Sequence, residues 1–502
     1  MNIPCKKTKI VATIGPASSS IETLEQMMLA GMNIVRINFA HGDDDTHRQV
    51  VTNVRIASQK TGKRIAIFGD LPGPKIRIGK LAQEPIQLIR GQQLILQTTP
   101  IIGDQHRVYV EFPQLPHVVN PNDNIYLHDG YITLKVIQAQ GKEVITRVVV
   151  GGELRSHKGL NLPDIDLNIS AFTEEDRRLL ALAAKLELDG VSQSFVEQAK
   201  DIETVREAAR HLNYDPLIIA KIERSRALLH LDEILQAADA LMVARGDLGV
   251  EVPVEQVAIL QKKMIQKALL CAKPVITATQ MLESMTSSRR PTRAEVTDVT
   301  NAILDGADAV MLSGETAIGD YPVETVQMMT SIAQQAEKYL EKMECSVLPD
   351  LQDQVHKLSQ DDRFSLNIKL IAQTMDPRLI IVPSLTGATA RRVARFRMKP
   401  WIIAGSHHEK TCQRLQFSWG VHPRVVDEQH NWDEPGVRQA SARRWCEDFG
   451  VTEGLVILIE GAGTLRAHDT RRIDIVNLDQ SQSHADNPVD DHDSEAANPL
   501  AE

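Results

Sequence analysis

Short apolar runs and amphipathic stretches alternate along most of this chain, and that alternation sets the expected architecture. Strand-like runs lie at 9–14, 33–38 and 64–70, then at 190–195, 217–223, 240–246, 274–280 and 309–314. Between them apolar residues recur at helical spacing. Ser19-x-x-Glu22 and Thr292-x-x-Glu295 read as capping boxes, and Pro253 suits a first helical turn. Eight successive strand–helix units predict a closed (β/α)8 TIM barrel, an α/β fold whose chemistry collects at the C-terminal ends of the strands.

The pattern pauses after the third strand. From about 74 to 159, alternating segments such as 87–97, 125–136 and 143–149 are punctuated by Gly and Pro. They predict a small inserted β-barrel domain, which at that position would hang over the barrel mouth as a lid; an inert decoration is the alternative. The eighth helix is expected to end near 339–343, and 345–363 reads as a linker. Apolar runs at 379–383, 401–404 and 455–460 then alternate with helical segments in a third, α/β layer. The expected organisation is a barrel over 1–73 and 160–345, an insertion over 74–159 and a C-terminal α/β domain over 346–478. The polar stretch 479–502 is expected to be disordered.

With 502 residues, 42% of them hydrophobic, the chain is long enough for three cores. A net charge of -10 argues against nucleic acid or an acidic membrane as the main partner. Cys5, Cys271, Cys345, Cys412 and Cys446 are scattered and odd in number, which suits a reducing compartment. No apolar stretch approaches the roughly 18 residues of a membrane span, so a cytoplasmic protein is expected.

Polar residues gather where the barrel reading puts the chemistry. Strand two ends in Arg36-Ile37-Asn38, three in Asp70, four in Ser194, five in Lys221-Ile222-Glu223, six in Arg245-Gly246-Asp247, seven in Thr279 and eight in Ser313-Gly314-Glu315. Glu223 and Asp247 end adjacent strands, so their carboxylates can meet at one point, as magnesium sites require. A structural ion pair with Lys221 is the competing reading. Arg36, Arg77 and Arg245 would add positive charge suited to a phosphorylated, carboxylated substrate.

The segments TKIVATIGPASSS, GMNIVRINFAHG, GPKIRIG, LIIAKIERS, LMVARGDLGVEVP, ITATQMLESM, RPTRAEVTDVTNAILDGADAVMLSGETAIGDYP and LTGATARRVARF together resemble the pyruvate kinase family, in order and at family spacing. The resemblance implies phosphoryl transfer from phosphoenolpyruvate to ADP in glycolysis, with Mg2+ or Mn2+ on Glu223 and Asp247. It also implies that Lys221 contacts the phosphoryl group and stabilises the enolate, that Arg36 neutralises phosphoryl oxygens with Asn38 and Asp70 beside it, and that Ser313 lines the substrate. The backbone of Ala244, Arg245 and Gly246 would hold the carboxylate, next to Asp247. Thr279 would sit where a proton reaches the enolate carbon, through water. Arg77 and Lys158, at the hinges of the insertion, would reach the nucleotide phosphates, and Asn38 and His41 would lie on the nucleotide side, a structural role for His41 being the alternative. A homotetramer is also implied.

The chain departs from that family's pattern in three places. Many members hold potassium with a Ser and a Thr where this chain has Ala40 and Leu71, and carry a Glu where it has Lys75. Oxygen ligands are lost and an ammonium gained together, so Lys75 is expected to substitute for the ion and potassium to be dispensable. After Lys-x-Glu, Arg226 and Ala227 replace an acidic and a small residue. In the third domain Ser384, Thr386, Gly387 and Thr389 precede a helix and fit a phosphate of a sugar-phosphate effector, with a simple helix cap as the alternative; no glycine-rich closing loop follows. His407 and His408 read as surface. Two rival functions stand: a metal-dependent aldolase-type barrel acting on pyruvate enolate, and a non-catalytic sugar-phosphate sensor.

Overall fold

A computed structural model of the chain describes residues 3–163, 165, 167, 169–342, 358–426, 435–460 and 471–479. Strand β1 (Lys9–Ile14) is buried at every position, as a strand covered on both faces must be. The next helix, Ile21–Ala30, is capped by Ser20, whose hydroxyl accepts from Thr23 N, one residue later than the expected Ser19. Strands β2 (Ile34–Asn38) and β3 (Ala66–Leu71) flank the helix Asp44–Thr61.

The insertion follows. It contains β4 (Ile86–Leu88), β5 (Gln93–Gln97), β6 (Arg107–Tyr109), β7 (Asn124–Leu127), β8 (Ile132–Gln140), β9 (Glu143–Val150), β10 (Gly152–Leu154) and β11 (Leu160–Asn161). Six of these form a sheet in the order β11-β7-β8-β9-β5-β6, and β10 pairs with β4. Their inward residues make a separate apolar core that includes Leu160, Leu162 and Leu167. The sheet and its core therefore run past residue 159, because the returning chain keeps placing alternate leucines on the insertion's inner face.

Strands β12 (Gly190–Gln193), β13 (Leu217–Ile222), β14 (Ala240–Ala244), β15 (Val275–Ala278) and β16 (Ala309–Leu312) resume the barrel. It closes in the order β1-β2-β3-β12-β13-β14-β15-β16, all parallel, with β16 returning to β1. The helices are cut where the sequence signals them: Thr292 and Glu295 form the expected capping box on Arg293–Leu304, and Pro253 stands at the N-cap of Val254–Leu270. Inward residues fill the lower barrel in a layer of Val11, Ile34, Ala66, Phe68, Ile219, Met242, Ile276 and Met311. Phe417, from the C-terminal part of the chain, joins that layer, with its ring 6.1 Å from Phe68.

That part begins with the helix Gln360–Met375, capped by Ser359, so the stretch read as a linker already turns helical at 360. The rest of the linker reading, through 357, lies outside the described residues, as does the tail from 480. Strands β17 (Leu379–Pro383), β18 (Trp401–Ser406), β19 (Val421–Val425), β20 (Leu455–Glu460) and β21 (Arg472–Asn477) form one sheet in the order β19-β18-β17-β20-β21, with only β21 antiparallel. This α/β domain is fastened to the barrel floor by Asp308, which accepts from Trp419 N (2.9 Å) and Val275 N (3.1 Å) and pairs with Arg397 (2.8 Å).

Because Phe417 is fully buried between two domains, Phe417→Ala should remove about 3–5 kcal/mol of stability. Urea unfolding followed by circular dichroism checks this; an unchanged midpoint would show that the ring does not plug the barrel.

Candidate active site

Alternate residues of each barrel strand point inward, and at the upper ends those positions are polar. Register pairs Asn38 with Asp70 and Ser192 with Asp70 on neighbouring strands, so Asp70 stands between the β2 and β12 side chains. From there a continuous charged chain crosses the mouth. Arg36 donates to Thr13 Oγ1 (3.0 Å) and to Asp70 (2.6 Å); Asp70 also accepts from the Ser192 hydroxyl. Lys221 Nζ lies 3.3 Å from Asp70, 2.6 Å from Ser194 Oγ and 2.8 Å from Glu223 Oε1.

The electrostatics follow from this packing. Burial alone would push the Asp70 carboxyl up, but the charges of Lys221 and Arg36, with the Ser192 hydrogen bond, hold it well below the usual range. Burial would likewise lower Lys221, yet Asp70 and Glu223 hold its ammonium firmly protonated. Glu223 is raised by burial and by the neighbouring Asp247 charge, against the pull of Lys221 and the Phe195 N–H (2.9 Å). Phe195 donates that bond from a left-handed backbone, φ 59°, a conformation unfavourable for a bulky side chain.

Asp247 lies in the first turn of the short helix Arg245–Glu251, half-buried and facing Glu223 electrostatically. Two carboxylates whose charges oppose each other in a desolvated mouth are a pair that a cation would relieve. No group of three potential His, Cys, Asp or Glu ligands occurs among the described residues. A metal here would take two protein carboxylates and fill its shell with substrate and water oxygens, which suits Mg2+ or Mn2+ better than a metal wanting a nitrogen or sulfur cage.

Thr279 has φ 69°, rare for a β-branched residue. Its hydroxyl accepts from Gly246 N (2.8 Å) and donates to Ala278 O (2.6 Å). Arg245 supports this turn rather than facing the metal pair: it donates to Thr279 O (2.7 Å) and Ala278 O (3.2 Å) and pairs with Asp298 (2.6 Å). The expectation that its guanidinium adds charge beside Glu223 and Asp247 is therefore corrected, since the side chain is consumed by the turn and by Asp298. Its neighbour Ala244 ends β14, and Ser313 follows β16 with a hydroxyl lacking a hydrogen-bond partner among the described residues.

Other expected residues lie apart from this cluster. Asn38 Oδ1 accepts from Ala40 N (3.2 Å), and His41 is exposed beyond it. Arg77 donates to His157 O (2.9 Å) and pairs with Gly159, while Lys158 O accepts from Ile78 N, so the backbone segments that carry Arg77 and Lys158 run alongside each other. Lys75 is exposed on the same hinge, its chain lying against Gly159 rather than against Asp70. In the C-terminal domain Ser384 Oγ accepts from Gly387 N (2.9 Å), Gly387 has φ 76°, and Arg391 donates to Thr386 O (3.2 Å). Ser384 thus caps its own turn, whereas Thr386 is exposed and Thr389 half-buried. Thr13, Ser192 and Asp298 escaped the sequence reading; the two-residue alternation could have found the first two.

The family model described as "Pyruvate kinase, barrel domain" matches residues 5–326, and "Pyruvate kinase, alpha/beta domain" matches 365–476. The chain belongs to the pyruvate kinase family. It is 44% identical over 471 residues to the pyruvate kinase of Thermococcus litoralis, covering 94% of this chain and 95% of that one. To the Thermotoga maritima enzyme it is 38% identical over 474 residues, covering 93% and 99%. The crystal structure of a pyruvate kinase from Cryptosporidium parvum superposes with a TM-score of 0.86 at 31% identity, covering 94% of this chain and 96% of that one. Family membership leaves the aldolase and sensor readings without support.

Asp70 provides a pH test. A carboxyl whose folded value is depressed adds stability that is present above its unfolded value, about 3.9, and lost as pH falls from there toward the folded value. Below pH 4 the wild type should therefore lose stability more steeply than Asp70→Asn, by about 1.4 kcal/mol per pH unit. Urea midpoints from pH 2.5 to 5 measure the difference, and parallel slopes would show that Asp70 is not held ionised.

Proposed function

We propose that the charged chain across the barrel mouth performs the family's reaction, transfer of the phosphoryl group of phosphoenolpyruvate to ADP, giving pyruvate and ATP. The observation that supports it most is the buried run Arg36–Asp70–Lys221–Glu223, which ends beside Asp247. A divalent Mg2+ or Mn2+ held by Glu223 and Asp247 neutralises substrate oxygens when bound. Arg36, kept in place by Thr13 and Asp70, meets the phosphoryl oxygens. Lys221 keeps its proton and stabilises the enolate oxygen as the phosphorus–oxygen bond breaks. The substrate carboxylate sits against the backbone of Ala244, Arg245 and Gly246 with Ser313 nearby; the Gly246 N–H, taken by Thr279 in this structure, is then shared with it. Thr279 orients a water that protonates the enolate carbon, because its hydroxyl is too weak an acid to act unaided. Arg77 and Lys158, adjacent on the lid hinge, hold the nucleotide phosphates, with Asn38 and His41 on the nucleotide side.

The reading extends to the second cation. Ala40 is exposed and Leu71 fully buried among apolar residues, and neither side chain offers an oxygen. Lys75, exposed on the hinge, supplies the fixed positive charge in place of potassium. The protein acts in the cytoplasm as a homotetramer, and the exposed Thr386, with Ser384, Gly387 and Thr389, receives the phosphate of a sugar-phosphate effector. Among the described residues no helix is long and apolar enough to cross a membrane.

Initial rates with phosphoenolpyruvate, ADP and Mg2+ in tetramethylammonium buffer should be full, and added potassium should change them less than about twofold; strong activation would refute the role of Lys75. Without the divalent ion the rate should vanish. A panel of sugar phosphates should activate the wild type and leave Thr386→Ala/Thr389→Ala unaffected; equal activation of both would remove the site.

A further inference from the structure

Arg224 follows Glu223 directly, so while Glu223 faces the mouth, Arg224 points the other way. It is 2% exposed. Its guanidinium donates to the carbonyls of Leu162 (3.3 Å) and Ile165 (3.1 Å), on the segment that brings the chain back from the lid into the barrel. The Nη2 that makes both bonds lies 3.5 Å from Glu197, while Nε forms an ion pair with Glu251 at 3.1 Å. Glu251 is the last residue of the helix Arg245–Glu251, whose first turn carries Gly246 and Asp247. One planar cation therefore joins the base of the lid to the far end of the helix that presents the substrate and metal groups.

The lid touches the same helix at a second place. In the turn between β7 and β8, Gly130 (φ 87°) stands over Val250, close enough that a Cβ there would lie 3.6 Å from the valine. Between those two contacts the surfaces separate into a cleft of about 930 Å³, lined by Asn120, Asn122 and Tyr126 of the lid and by Gly249 and Val252 of the barrel. The helix spans only seven residues, about 10 Å, too short to absorb a displacement of one end without moving the other.

We infer that Arg224 is a positioning residue that makes the lid and the helix Arg245–Glu251 move as one unit, so that a nucleotide held under the lid tightens the binding of the enolate at Gly246 and Asp247. Arginine suits the post because its spread nitrogens reach the carbonyls from Nη2 and Glu251 from Nε at the same time, which a single lysine ammonium cannot do. The inference rests on the reading above that ADP binds at the lid hinge and phosphoenolpyruvate at the barrel mouth. Coupling between two ligands is reciprocal and commonly amounts to 5–150-fold in affinity, so it can be read directly by titration.

The test uses full-length protein with Mg2+ and oxalate, a planar dianion shaped like the pyruvate enolate, titrated with and without ADP by calorimetry. Three variants are compared with wild type. Arg224→Lys keeps the charge, and Arg224→Met/Glu251→Met removes both charges so that neither is left buried and unpaired. Arg226→Gln breaks a neighbouring ion pair to Glu197 while leaving Arg224 and Glu251 in place. In wild type and Arg226→Gln, ADP should tighten oxalate by about fivefold or more. In the two Arg224 variants the ratio should fall below about twofold, while oxalate affinity without ADP changes less than about threefold. A ratio near one in wild type, or a wild-type ratio in a folded Arg224 variant, overturns the inference. So does a parallel loss of oxalate affinity with and without ADP, which marks a merely structural role. Wild-type protein that forms no pyruvate from phosphoenolpyruvate and ADP would instead refute the functional reading itself.

Discussion

Lys221 sits under the barrel mouth, nine-tenths buried, with Asp70, Glu223 and Ser194 all within 3.3 Å of its ammonium. Removing these charges from water is expensive, and each is tolerable only because the others are present. Losing either carboxylate would strand a buried cation; losing the cation would leave carboxylates repelling one another. The cluster thus fixes three strands, β3, β12 and β13, against each other at the barrel mouth. Arg36 and Thr13 extend the lock to β1 and β2. A site held this way does not reorganise when charge develops on a substrate, and that is the property an enolate-stabilising lysine needs.

Strain occurs next to this lock and is held there by polar contacts. Phe195 and Thr279 both have left-handed backbones at the ends of their strands. The first is tied by its N–H to Glu223, the second by Arg245, which reaches Asp298 behind it. Each conformation costs on the order of 1–3 kcal/mol. The effect is to aim an N–H or a hydroxyl into the mouth at an angle an ordinary strand end would not give.

The eight strands, the insertion point and the converging residues Arg36, Asp70, Lys221, Glu223 and Thr279 were legible because inward alternation and strand-end polarity are local properties of the sequence. What was not legible was how long cationic side chains are spent. Arg245 stands beside Asp247 in sequence, yet its guanidinium supports the Thr279 turn, because a carboxylate 53 residues away claims it. Lys75 has the charge expected of an ion's replacement, but its placement depends on the hinge and not on its neighbours in the chain. Strands β19 and β21 were missed for a related reason: VHPRV and RIDIVN carry charge on a half-covered edge, so their apolar content falls below the threshold of the pattern.

The insertion is fastened at its two ends by different means. On the outgoing side Gly73, φ 64°, donates its N–H to Asp176 (3.0 Å), a carboxylate that also caps the helix Glu174–Lys185 through Thr173. That contact is to a single backbone N–H, at a position so closely packed against Phe195, Ser194 and Ala171 and with such a backbone that glycine suits it best. On the returning side Arg224 donates to two carbonyls and forms ion pairs with Glu251 and Glu197. Arg224 is thus the more extensive of the two ties, a strut between the insertion and the barrel helix. The strut ends on the helix that carries Asp247, which is why the coupling inferred above would be read at that helix.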